Sequence, residues 1–401
     1  MAKVLFAWEL GGAYGHLGRM LPLAHALRER GHEISFALRE LTEVQRLLGP
    51  AGFRWYQAPL WLGRVGGLPT LLNHAELLMR FGFLNARALL GICRAWRNLV
   101  DLLQPDLIIF DYAPTGLLAT RGLPLARLNL ASGFFAPPRQ HPLPPLRWWE
   151  PTPTARLIDS EQRTLAVVNQ VLYDLGAPIT NTMQDVLGCE NEVFTVFREM
   201  DHFGTREGGD FVGPIDSIGR GDAPAWPAGG ARRLFAYLKP DYGPVEKILE
   251  ALERMDASVV VHIPGVSTHM QRRFGNTRMR ITETPVDMQE VSQSCDAALT
   301  HCGIGTVTRL LLQGKPVLLF PQQLEQTMLA KVLEKQHLGA HLPESGAGQF
   351  PRLIKRALED PQLAAAAKAF AADHADYDPV RTVKALADRC EALMRSRWPG
   401  P

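Results

Sequence analysis

Strong charge, long apolar runs and paired cysteines are all missing from this chain, and each absence closes off a class of protein. Over 401 residues the formal net charge is only +2, and basic and acidic residues are equal in number up to Ile215. That balance argues against a nucleic-acid-binding protein, whose phosphate contacts leave a basic footprint. No run approaches the roughly 18 apolar residues of a spanning helix. The five cysteines (Cys93, Cys189, Cys295, Cys302, Cys390) are an odd, scattered set, which reads as a reducing cytoplasm and not as a disulfide framework. The opening MAKVLFAWELGG reaches a charge and glycines too soon for a signal peptide. No His/Cys/Asp cluster has metal-ligand spacing. The lone D-x-D, Asp376-Tyr377-Asp378, follows an alanine-rich helix and precedes Pro379, which reads as a turn at a helix end. No internal repeats at solenoid periods are found.

What is present is apolar material for large cores, 46% of the residues, in a length that suits two to three domains of roughly 100–200 residues each. Val4 to Trp8 predicts a strand, and Glu9 to His16 a glycine loop. Leu17, Met20, Leu21, Ala24 and Leu27 then fall at helical spacing. Arg28 and Arg30 suit the last turn, Gly31 suits the C′ position, and Glu33 to Leu38 predicts a second strand. This is β-α-β, but its glycines fit neither the dinucleotide nor the P-loop spacing. Phe211 to Arg233 is rich in Gly, Pro and Ala without periodicity, which predicts a linker. The expected layout is an N-terminal domain over 1–215, a linker over 216–231 and a C-terminal domain over 232–401. In the second half, strands are expected at Leu234–Leu238, Val259–Ile263 and Met279–Thr282, with a helix from Val245 to Met255.

The most informative stretch is Asp296 to Ala330. A strand (Ala297–Thr300) runs into the turn His301-Cys302-Gly303-Ile304-Gly305-Thr306, then a helix from about Val307 to Gln313 that stops at Gly314. A buried strand, Pro316–Phe320, ends at Pro321, and Glu325-Gln326 lead into another helix. In a parallel-sheet unit the ligand end lies where strands finish and helices begin. Free helix amides, the macrodipole and a histidine there suit a diphosphate without a metal ion.

At these residues the chain resembles the family-1 glycosyltransferases, which carry a donor box close to H-x-G-x-x-[ST], then a glycine-proline strand, then P-x-x-x-[DE]-Q. The resemblance implies an α/β chain of GT-B architecture: two facing Rossmann-like domains with parallel sheets and a cleft between them. It implies that His301, Gly303, Ile304, Gly305 and Thr306 grip the diphosphate of a nucleotide-sugar and that Glu325 and Gln326 bind sugar hydroxyls. Gly12, Val286 and Lys239 join this donor set. Lys239 stands where family members often have Ser or Thr after the first strand of the second domain, and it brings charge. One position departs from the pattern: where the family places a ribose-binding glutamate, this chain has Arg309, which has no acceptor capacity. The implied co-substrate is a UDP- or dTDP-linked sugar, with no other cofactor and no required metal.

The opening loop ending Gly15-His16 also resembles the family's, which implies that His16 is the general base and that Asp111, at the end of the strand running from Pro105 to Asp111, is its partner. An imidazole can take a hydroxyl proton as the new bond forms, and a carboxylate fixes its tautomer. The plain alternative is that both residues cap helices. Trp55, Trp61, Phe81, Phe134 and Phe135, with Tyr56, Phe83 and Trp148-Trp149, are dense in what reads as helix and loop. They suggest an acceptor pocket for a flat or greasy molecule such as a macrolide, polyphenol, terpenoid or lipid, although core packing accounts for part of them. The last helix, about 378–398, looks like the family's helix that returns to the N-terminal domain.

The leading expectation is an inverting hexosyltransferase of the cytoplasm, acting in natural-product glycosylation, with peripheral membrane contact left open. A nucleotide-sugar epimerase and a non-catalytic nucleotide-sugar binder are the alternatives. The first needs no acceptor pocket, and the second needs no base.

Overall fold

A computed structural model of the chain describes residues 1–12, 15–204, 206–215 and 221–397. Ala13 and Tyr14 of the first loop, 216–220 of the expected linker and Trp398 at the expected end of the last helix lie outside these residues. The chain forms two compact units: Met1–Ser217 with Asp378–Pro401, and Ile218–Tyr377.

The first unit holds β1 (Lys3–Trp8), β2 (Glu33–Leu38), β3 (Arg54–Gln57), β4 (Leu107–Asp111), β5 (Ala126–Ala131) and β6 (Glu192–Phe194). The second holds β7 (Arg232–Tyr237), β8 (Ala257–His262), β9 (Met279–Thr282), β10 (Ala297–Thr300), β11 (Val317–Leu319) and β12 (Ala340–His341). Every pairing is parallel. The orders are β3-β2-β1-β4-β5-β6 and β12-β11-β10-β7-β8-β9. Counted from its own first strand, each sheet therefore has the doubly wound order whose switch point lies between strands one and four. The central strands are near-continuous apolar runs such as VLFAW, LIIF and SVVV, as a sheet covered on both faces requires.

Helices cover each sheet. In the first unit Leu17, Met20, Leu23, Ala24 and Leu27 of the helix Gly15–Glu29 face the core with Val4, Phe6, Ile34 and Phe36. Gly31 follows in the left-handed region at φ +87°, where a side chain would be strained. The helix Pro379–Arg397 belongs to this unit: Leu386, Ala387 and Cys390 join the same core, and Arg30 reaches Asp388 at 2.7 Å and Glu391 at 3.2 Å. In the second unit Ile248, Leu249 and Leu252 of the helix Val245–Glu253 pack with Leu234, Val259, Val261 and Phe274.

Two expectations change. The described part of the expected linker is not a free tether. Asp222 forms a parallel bridge with Val286, and the Trp226 indole donates to Ser294 Oγ at 3.1 Å, so apolar and amide groups of this Pro/Gly-rich stretch are tied to the second unit. Trp55 and Tyr56 are not loop aromatics but part of the edge strand β3, and Trp55 packs against the first core. Among the described residues no helix is long and apolar enough to cross a membrane, and no three His, Cys, Asp or Glu gather to hold a metal.

Candidate active site

In the first unit the chemistry gathers where β1 and β4 end. The β1–β4 register sets Trp8 opposite Asp111, and the helix Gly15–Glu29 brings His16 above them. His16 Nδ1 lies 3.1 Å from Asp111 Oδ1, and both side chains are buried. A carboxylate can only accept, so Nδ1 carries a proton, and Nε2 is the nitrogen left to exchange one. Trp8 and Phe135 stack on the imidazole with centroids at 5.0 and 5.2 Å. Gly11, at φ +86°, lies beside Nε2: a Cβ there would come within 2.3 Å of that nitrogen, so only glycine leaves it approachable. Arg19, one turn along the same helix, reaches Asp111 Oδ2 at 3.6 Å and balances its charge.

The expected acceptor residues fall into separate groups. Phe135 stacks on Tyr112 at 4.2 Å as well as on His16, and Phe134 packs edge-on against Phe135 at 5.8 Å and His74 at 5.1 Å. Burial pushes the His74 and His202 imidazoles down to about 4 and about 3, with the Arg206 and Arg19 cations adding to the effect at His202. Trp61 and Phe81 instead line a small pocket with Arg39, Phe83, Glu9 and Thr115. Glu9 closes one wall of it. Its carboxylate accepts from Thr115 N at 2.9 Å, Gly116 N at 2.6 Å and the Thr115 hydroxyl, at the start of the helix Pro114–Ala119. Burial nonetheless raises its pKa from 4.5 to about 7. Gly12 is exposed in the loop beyond.

In the second unit the donor box lies at the end of β10, and its helix starts earlier than the sequence suggested. Ile304, Gly305 and Thr306 are its first turn, not part of the turn before it; the helix spans Ile304–Leu312. Gly303 in extended conformation is the N-cap and brings no side chain to cap it. The first intrahelical donor is Val307 N, to Gly303 O at 3.0 Å, which leaves the amides of Ile304, Gly305 and Thr306 for a ligand. Cys302 turns the chain at φ +64°, an unusual conformation for a residue with a side chain, held by its amide bond to Thr300 Oγ1 at 3.0 Å. His301 is buried above Gly303, whose missing Cβ would lie 3.1 Å from Nε2. Burial, then the Lys239 ammonium, lowers the His301 pKa to about 4.

The remaining donor candidates are placed as follows. Lys239 Nζ donates to Tyr237 Oη at 3.3 Å, and the Tyr237 ring meets His301 edge-on at 4.6 Å. Gln326 accepts the Gln322 amide at 2.9 Å through its side-chain carbonyl, leaving its NH₂ to donate; Glu325 is in the first turn of the same helix, Leu324–Lys335. The bridge to Asp222 uses the carbonyl of Pro285 and the amide of Asp287, so Val286's own amide and carbonyl point to the other side. Arg309 is half-buried, and among the described residues nothing pairs with its guanidinium. Sequence reasoning missed Arg19, Glu9, Tyr237 and His262. The signal was their position, at strand ends or one helical turn from His16.

Residues 246–393 match the family described as the erythromycin biosynthesis protein CIII-like C-terminal domain. By sequence, no curated protein matches the chain. Among solved structures the chain is similar to CalG4, the calicheamicin glycosyltransferase, at TM-score 0.72 and 20% identity over 98% of both chains. It is similar to the spinosyn rhamnosyltransferase SpnG at TM-score 0.69 and 20% identity, covering 97% of this chain and 100% of that one. It is also similar to the glycosyltransferase VinC, solved with dTDP, at TM-score 0.67 and 17% identity, covering 98% of this chain and 100% of that one. At these identities the likeness establishes the fold, two α/β units with six-stranded parallel sheets in the GT-B arrangement of chain order.

Proposed function

The chain is a GT-B protein whose second half resembles the EryCIII-like C-terminal domain, and from that premise we propose an inverting, metal-independent glycosyltransferase. It moves a hexose from a nucleotide-diphosphate sugar to a hydroxyl of a hydrophobic natural product in the cytoplasm. The observation that carries the reading is the His16–Asp111 contact, which a mere binder of nucleotide-sugars would not need. His16 Nε2 takes the acceptor proton while Asp111 stabilises the imidazolium. The hydroxyl oxygen attacks the anomeric carbon, and the bond to the diphosphate breaks on the opposite face. The leaving diphosphate is met by the amides of Ile304, Gly305 and Thr306, the Thr306 hydroxyl and His301. Glu325 and the Gln326 NH₂ orient the sugar, while Val286 and Arg309 face the nucleoside. Phe134, Phe135, Trp61 and Phe81 serve the acceptor side and Gly12 the donor; Trp55, in the edge strand β3 and packed against the core, is withdrawn from the acceptor set.

dTDP is the more natural donor nucleotide than UDP for this site. Arg309 replaces an acceptor for ribose hydroxyls, and VinC binds dTDP. The test is acceptor-dependent release of nucleoside diphosphate from UDP- and dTDP-sugars, with and without EDTA. Release that needs no acceptor, or interconversion of the sugar, would replace this reading with hydrolysis or epimerisation. Loss of activity in EDTA, restored by a divalent ion, would remove the metal-independent part.

A further inference from the structure

Three basic side chains surround one phenol ring at the ligand end of the second sheet, and one of them has no role so far. Across the order β10-β7-β8-β9 stand His301, Tyr237, His262 and Thr282, each at or just past the end of its strand. The Tyr237 centroid lies 4.6 Å from that of His301 and 4.9 Å from that of His262. Lys239 Nζ sits 3.3 Å from Tyr237 Oη and 5.1 Å from the ring centroid. His262 Nδ1 is 3.3 Å from the Thr282 carbonyl, which can only accept. The Nδ1 proton is thereby fixed, and Nε2 is the nitrogen left to gain one.

This is an odd set to bury together unless an anion is to join it. The charged groups acting on the two imidazoles are Lys239 and the imidazoles themselves, and no carboxylate contributes; Glu325 acts on the Cys302 thiol instead. Tyr237 is the neutral spacer, and Thr282 and Thr284 bond to one another through their hydroxyls at 2.8 Å. Without a ligand, burial and then the ammonium lower the pKa of both rings. A diphosphate diester brings two negative charges beside the open helix amides next to His301 and reverses that balance.

We propose that His262 is a further ligand of the donor, and that the His262–His301 pair takes up a proton from solvent when a nucleotide-diphosphate sugar binds. The proton moves from water to an imidazole Nε2, and no bond of the donor breaks in this step. The leaving diphosphate then departs against an imidazolium already in place. The inference rests on the donor site proposed above.

A nucleotide-diphosphate sugar has no proton of its own to exchange near neutrality, so UDP-glucose and dTDP-glucose are the probes. Calorimetric titration of the full chain in buffers of different ionisation enthalpy, near the ordinary imidazole value of 6.5, gives the protons absorbed as a slope. The wild type should absorb about half to one proton per site. His262→Asn keeps a donor for the Thr282 carbonyl and loses only the far ring nitrogen. It should cut uptake by at least half and weaken donor binding roughly tenfold. Binding without uptake, or undiminished uptake in His262→Asn, overturns this inference and leaves the donor site standing. No binding of either probe to the wild type overturns both. Should the variant not fold, ¹⁵N shifts of the His262 ring in labelled wild type decide alone: a ring still singly protonated in the donor complex refutes the proposal.

Discussion

The two units solve one topology in opposite electrical senses. In each, strands one and four are neighbours at the switch point, with Trp8 opposite Asp111 in the first and Tyr237 opposite Thr300 in the second. The residue after strand one is Glu9 in the first unit, and its carboxylate caps Thr115 and Gly116 at the helix after strand four. In the second unit the corresponding residue is Leu238, and the helix after β10 starts uncapped. The first unit has filled the position over its own helix start with the Glu9 carboxyl, and the His16–Asp111 pair stands apart from it. The second keeps that position open and rings it with bases. The opposite residues differ to match: an aspartate orients the imidazole in one, while Thr300 anchors the tight Cys302 turn in the other.

Removing the base should have the largest effect. His16→Ala is expected to lower turnover on an alcohol acceptor by about 10²–10⁴ with donor affinity unchanged, because His16 belongs to a different unit from His301 and the open helix amides. Asp111→Asn should reproduce part of the loss, and an acidic phenol, already ionised, should partly escape it. Full turnover of His16→Ala on an ordinary alcohol would reduce the histidine to a helix-start residue.

Next comes the internal cap. Native Glu9 holds its proton up to about pH 7, while the unfolded chain releases it near 4.5. The native state binds more protons across that window, so stability should fall as pH rises through it, by about 3 kcal/mol at most. Denaturant unfolding of wild type and Glu9→Gln between these pH values tests this. An equal slope in both proteins would mean that Glu9 does not set the first unit's balance.

On the open side, His301→Ala should weaken binding of nucleoside diphosphate by about 1.5–3 kcal/mol and lower turnover too. Unchanged affinity in the variant would show that the open helix start works without its histidine. The smallest effect is expected at Arg309. Arg309→Glu should shift preference from dTDP toward UDP by several-fold, roughly the worth of one hydrogen bond. If the ratio of the two affinities stays put, the guanidinium points elsewhere.

The sequence was most legible where pattern is local. β2, β9 and β10 could be read to the residue, because each stretch stops at a charged or basic residue, Arg39, Glu283 and His301. β3 could not: RWYQ at a sheet edge is half-buried and does not alternate cleanly, so its two aromatics looked like loop residues. The early helix start at Ile304 was hidden by Gly305, a poor helix former accepted in a first turn. Within the site, strand-end residues such as Asp111 and His301 stood out through their neighbours in sequence. Partners did not: Glu9 meets Gly116 across 107 positions, and only the register of β1 on β4 brings them together. His262 sat unremarked in a strand that had been read.

The helix Pro379–Arg397 gives the chain a particular order of assembly. Residues 218–377 form one unbroken segment and can complete their core during synthesis as soon as they emerge. The first unit starts the chain yet takes Leu386, Ala387 and Cys390 into its core. His16 and Asp111 are made early, but the face of β4 and β5 beside the helix Gly15–Glu29 stays uncovered until residues past 378 arrive. Nascent chains halted before that point should carry a finished second unit and a first unit still prone to aggregate.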